Sequence, residues 1–160
     1  MGTVATFTSA SAADTFALGQ ALGRALLSGD FVGLAGQLGA GKTQFSRGVA
    51  DGAGVPLDDV SSPTYSIVQS YRGRLALHHA DLYRLQTEND LFATGYFDLL
   101  EADGAMLVEW VDQVPGAAPD DALRIAISVT GTDTRSLEAS TTGPKSDALL
   151  TRWRTEQGTR

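Results

Sequence analysis

Residues Gly36-Gln37-Leu38-Gly39-Ala40-Gly41-Lys42-Thr43 place four residues between Gly36 and Gly41 and follow Gly41 with a lysine and a threonine. That pattern suits phosphate. Glycines let backbone N–H groups close around phosphate oxygens at a helix N-terminus, where the helix dipole also favours negative charge. Lys42 has the length to reach the β- and γ-phosphates of a nucleoside triphosphate, and the Thr43 hydroxyl can ligate magnesium. Gly36, Gly39, Ala40, Gly41, Lys42 and Thr43 are therefore the expected nucleotide-binding set.

Magnesium at such a loop needs a carboxylate opposite it. The run Ala105-Met106-Leu107-Val108-Glu109 is an apolar strand ending in an acid, so Glu109 is expected at the carboxyl end of a strand, sharing the metal with Thr43. In Leu75 to Tyr83, strand alternation sets His79, Asp81 and Tyr83 on one face. An imidazole, a carboxylate and a phenol together suggest a polar site, because an apolar core would leave them unsatisfied. Lys42, Asp81 and Glu109 are the expected catalytic residues, and either carboxylate could orient a water. Alternation also turns Trp110 to the face opposite Glu109, provided that the strand stays regular to its end. Ser61-Ser62-Pro63-Thr64-Tyr65 form a hydroxyl-rich turn where other P-loop enzymes carry a mobile switch.

These residues need a scaffold of alternating elements. Val4 to Phe7 and Phe31 to Ala35 read as strands, with a helix between them that starts at a capping box on Ser11 and ends at Gly29. A second helix runs from Lys42 to the glycines at 52 and 54. Tyr65 to Tyr71 and Leu75 to Tyr83 form a hairpin, and Glu88 to Ala93 a short helix. Leu123 to Val129 pairs with Arg135 to Ala139 across Gly131-Thr132-Asp133, and a helix from Lys145 to Trp153 follows. The expectation is one α/β domain over residues 1–160, a P-loop NTPase-like three-layer sandwich. Its central sheet is mixed with antiparallel hairpins, and helices lie on both faces.

Composition narrows the partners. The 160 residues carry 19 carboxylates against 12 basic side chains, a net charge of -7. Nucleic-acid affinity comes largely from neutralised phosphates, so direct grip on RNA is not expected. With no cysteine and no apolar run of membrane-spanning length, the expected setting is the cytoplasm.

Taken in order, GQLGAGKT, SSPTYSIV, HADLYRL and LVEW resemble the bacterial TsaE family, formerly YjeE. The resemblance runs from about Ser11 to Val129. It implies an ATPase, weak alone, with ATP and Mg2+ as cofactors. It implies a protein required for threonylcarbamoyladenosine formation in tRNA that acts with the TsaB and TsaD proteins, through which alone it would meet tRNA. It also implies that Ser62, Pro63, Thr64 and Tyr65 are the switch segment and that Asp81, His79, Tyr83, Arg84 and Trp110 are functionally sensitive. Ser11 and Arg135 would lie toward the base or ribose, although helix capping and a strand edge explain them equally well. The family usually has an acid at Gln37 and a second threonine at Gln44. Two other readings share the P-loop: a small kinase, and a switch in which ATP binding orders a docking surface and hydrolysis is incidental.

Overall fold

The computed structural model describes residues 2–37, 39–60 and 67–158. In chain order its strands are β1 (Val4–Ser9), β2 (Phe31–Ala35), β3 (Val68–Arg72), β4 (Ala76–Asp81), β5 (Ala105–Glu109), β6 (Leu123–Val129) and β7 (Arg135–Thr141). They form one sheet in the order β1-β7-β6-β2-β5-β4-β3. The four middle strands β6, β2, β5 and β4 are parallel, while β1 with β7, β6 with β7, and β3 with β4 pair antiparallel.

The helices are α1 (Ala12–Ala25), α2 (Lys42–Gly52), α3 (Glu88–Phe92), α4 (Tyr96–Leu100) and α5 (Pro144–Gln157). Strand alternation divides the core between the two faces of the sheet. In β5, Ala105 and Leu107 join the cluster formed with α1, α2 and α5. Met106 and Val108 join the opposite cluster, with Leu91 of α3 and Tyr96 of α4. This is the expected α/β architecture with a mixed sheet and helices on both faces. Among the described residues, no helix is long and apolar enough to cross a membrane.

Helices α1 and α2 meet backbone to backbone along a glycine seam. A Cβ on Gly19 would lie 2.3 Å from the carbonyl oxygen of Phe45, and one on Gly48 would lie 2.1 Å from that of Phe16. Gly23 and Gly52 repeat the arrangement one turn along, against Val49 and Gln20. The helix that starts at the phosphate-binding loop is thus clamped to α1 without intervening side chains. The fully buried Trp153 of α5 donates from Nε1 to the Leu18 carbonyl and packs against Phe7 of β1 and Phe45 of α2.

Several boundaries differ from the sequence expectation. Helix α1 stops at Ala25, because Leu26 is already extended, and Gly29 (φ 94°) serves the turn into β2 instead. Strand β4 ends at Asp81, two residues short of Tyr83. Helix α5 continues past Trp153 through polar residues to Gln157, and α4 follows Gly95 (φ 82°) where no element was expected. The proposed switch residues Ser62, Pro63, Thr64 and Tyr65 lie outside the described residues, as does Leu38.

Candidate active site

The turn from β2 into α2 takes its shape from glycine. Gly36, Gly39 and Gly41 have φ of 145°, 79° and 109°, and Gly41 is the N-cap of α2. Ala40 N–H donates to the Gln37 carbonyl. From outside the loop, Arg135 at the start of β7 donates from Nε to the Ala40 carbonyl at 3.0 Å. The Lys42 side chain is buried, and its ammonium donates to the carbonyls of Gly36 at 2.6 Å and Gln37 at 2.7 Å. Burial lowers the Lys42 pKa, and the carboxylates of Glu109 and Asp81 oppose that shift.

Both carboxylates face this turn from the neighbouring strands. In the parallel pairing of β4 with β5, Asp81 stands opposite Glu109. One oxygen of each is engaged: Asp81 Oδ1 accepts from Tyr83 N–H at 3.0 Å, and Glu109 Oε2 is 2.6 Å from His79 Nε2. Burial raises the Asp81 pKa above its ordinary value, and the Glu109 charge adds to this; the Tyr83 N–H, His79 and Lys42 pull the other way. Gly39, Gly41, Lys42 and Thr43 line one wall of a cleft of about 250 Å³, and Asp81, Tyr83, Glu109 and Trp110 line the other. It opens at the carboxyl ends of the parallel strands, where ligands of open α/β sheets bind.

The donor set is suited to magnesium. Thr43 and Glu109 supply a hydroxyl and a carboxylate to the same cleft. Among the described residues no three His, Cys, Asp or Glu side chains form a ready-made metal cage. Magnesium does not require one, because it keeps several waters and takes one or two carboxylates together with substrate phosphates.

Trp110 departs from expectation. Strand β5 ends at Glu109, and Trp110 adopts a left-handed conformation (φ 59°, ψ 41°); among the described residues no other non-glycine has positive φ. Regular alternation ends at that step: the indole packs against the cluster that holds Met106 and Val108 and also lines the same cleft as Glu109. Its ring lies 4.2 Å from Lys42 Nζ and packs on the exposed Tyr83, with ring centroids 4.8 Å apart. Tyr83 also reaches the cleft through a bend beyond the end of β4, and not by strand alternation.

The remaining candidates are dispersed. Ser11 caps α1 by accepting from Asp14 N–H and is not among the cleft-lining residues. Arg84 is exposed and is also not among them. Arg74 donates to the carbonyls of Gly23, Arg24 and Leu26 at the end of α1. Sequence reasoning missed the contact between His79 and Glu109 and the brace from Arg135 to Ala40. The only available signal was the grouping of polar residues on one strand face, because the contacts themselves depend on which strands become neighbours.

Comparison with known proteins agrees with this layout. Residues 9–137 match the family model described as threonylcarbamoyl adenosine biosynthesis protein TsaE. The protein of that name from Treponema pallidum is 36% identical over 81% of this chain and 95% of its own length. Its Bacillus subtilis counterpart is 38% identical over 76% of this chain and 75% of its own. The crystal structure of Bacillus subtilis YdiB superposes with a TM-score of 0.81 at 26% identity, covering 98% of each chain. With the matched stretch running from the end of β1 into β7 and containing every cleft residue, the chain belongs to the TsaE family.

Proposed function

We propose that this protein binds ATP with magnesium in the cleft between the β2–α2 turn and the ends of β4 and β5. It hydrolyses ATP in the cytoplasm, in support of threonylcarbamoyladenosine formation in tRNA, together with the TsaB and TsaD proteins. The observation that carries this reading is the convergence of Lys42, Thr43, Asp81 and Glu109 on one cleft at a helix N-terminus. Backbone N–H groups of the turn and the Lys42 ammonium would bind the phosphates. Thr43 and Glu109 would hold magnesium, which neutralises charge on phosphoryl oxygens. Asp81, with its raised pKa and one oxygen that has no hydrogen-bond partner among the described residues, is suited to orient and accept a proton from the attacking water. Contact with tRNA would come through partners, in keeping with a net charge of -7.

A second reading, a switch in which ATP binding alone orders a docking surface, is supported by the contact from Lys42 through Trp110 to exposed Tyr83. ATP hydrolysis measured with and without the TsaB and TsaD proteins separates the two. Turnover that is slow alone and rises with the partners is expected. Nucleotide-dependent association without turnover in any combination would leave only the switch.

A further inference from the structure

We propose that His79 is a positioning residue that fixes the carboxylate of Glu109 and aims its second oxygen into the cleft. The inference rests on the reading that Glu109 meets magnesium there. His79 and Glu109 lie on adjacent parallel strands, and His79 is level with Leu107, two residues before Glu109. The glutamate side chain therefore reaches back along β4 to the imidazole.

The two side chains are 6% and 5% exposed, and Nε2 is 2.6 Å from Oε2. A carboxylate has only acceptors to offer, so Nε2 carries the hydrogen and donates it. A bond of this length to an ionised group, shielded from water, holds both partners in one rotamer. Glutamate has three side-chain torsions and here stands beside the Asp81 carboxylate, which repels it. Without His79 the carboxylate has no fixed aim. His79 is not among the residues lining the cleft, so it acts through Glu109 and not on the nucleotide.

The consequence is an effect on metal and not on nucleotide. Calorimetric titration of a slowly hydrolysed ATP analogue across a magnesium series, on the full chain, reads it directly. Loss of such an outer partner costs about 10- to 100-fold in metal affinity. His79→Phe should therefore raise the magnesium midpoint by about that factor, while affinity for the analogue without magnesium stays within about twofold. His79→Gln places an amide nitrogen near the position of Nε2 and should recover most of the loss. Should His79→Phe not fold, His79→Asn, whose amide falls short of Glu109, carries the same expectation.

Glu109→Ala is the reference and should abolish the magnesium dependence. If it does so while His79→Phe or His79→Asn keeps the wild-type midpoint, or if Gln and Phe shift it equally, the positioning role is overturned. If Glu109→Ala itself keeps the dependence, the metal assignment fails, and the inference falls with it for that separate reason.

Discussion

Lys42 Nζ lies 4.2 Å from the centre of the Trp110 ring while donating to the carbonyls of Gly36 and Gln37. The ring is held there by a left-handed backbone that bulky residues rarely adopt. A bound phosphate would compete with all three partners for the same ammonium. Removing one competitor should help binding: Trp110→Ala is expected to tighten nucleotide affinity by up to roughly fivefold, the equivalent of a cation–π contact of about 1 kcal/mol. Trp110→Phe should lie between the two. An order-of-magnitude weakening in calorimetry would mean instead that the indole itself touches the nucleotide.

The two tryptophans should separate function from stability. Trp153 is fully buried between α1 and β1 and bonded through Nε1, so Trp153→Ala is expected to cost roughly 3–5 kcal/mol. Trp110 sits at the edge of a cleft, and Trp110→Ala should cost less than about 1.5 kcal/mol. Urea unfolding of both variants checks the order; equal losses would contradict the placement of Trp110.

Gly48→Ala should be destabilising even though alanine is the better helix former by about 1 kcal/mol. Its Cβ would lie 2.1 Å from the Phe16 carbonyl oxygen, which forces the two helices apart at an expected cost of about 2–4 kcal/mol. Because α2 begins at Lys42, nucleotide affinity should fall with it. A variant as stable as the parent in urea would show that the seam is looser than described.

Burial disfavours the ionised form of Asp81. Burial and then the Glu109 charge raise its pKa above the ordinary 3.8. A carboxyl group whose folded-state pKa exceeds its unfolded value contributes stability that is fully present below the unfolded value and lost as pH rises through the folded one. Asp81→Asn keeps an acceptor for Tyr83 N–H and removes the charge. Its thermal midpoint should therefore approach that of the parent at low pH and exceed it increasingly as pH rises from about 4, while hydrolysis falls. A gap that closes toward neutral pH would reverse the sign of this argument.

What could be read from the chain depended on how local the cause was. The β2–α2 turn was legible because its glycines, Lys42 and Thr43 act within eight residues. The pairing of β6 with β7 followed from alternation and a short turn. Trp110 was not legible, since alternation presumes that the strand continues, and nothing local announces a left-handed residue after Glu109. The bond from His79 to Glu109 depends on two strands 24 residues apart in the chain becoming neighbours. Gly52 was read as a helix stop, and α2 does end there; that Gly48 and Gly52 also let α2 approach α1 was not legible, because that cause lies in the other helix. The five residues of α4 were too few to carry a period.

Strand β1 pairs with β7 and with no other strand, and Trp153 of α5 is needed to fill the core beneath β1 and α1. During synthesis β1 therefore waits for Arg135, its earliest partner in β7, which follows Ser9 by 126 positions. Pairings of such sequence separation fold slowly and leave apolar edges open to aggregation in the interval. The β1 segment, and not the cleft between α2 and β5, is where a nascent chain of this protein would most need a chaperone.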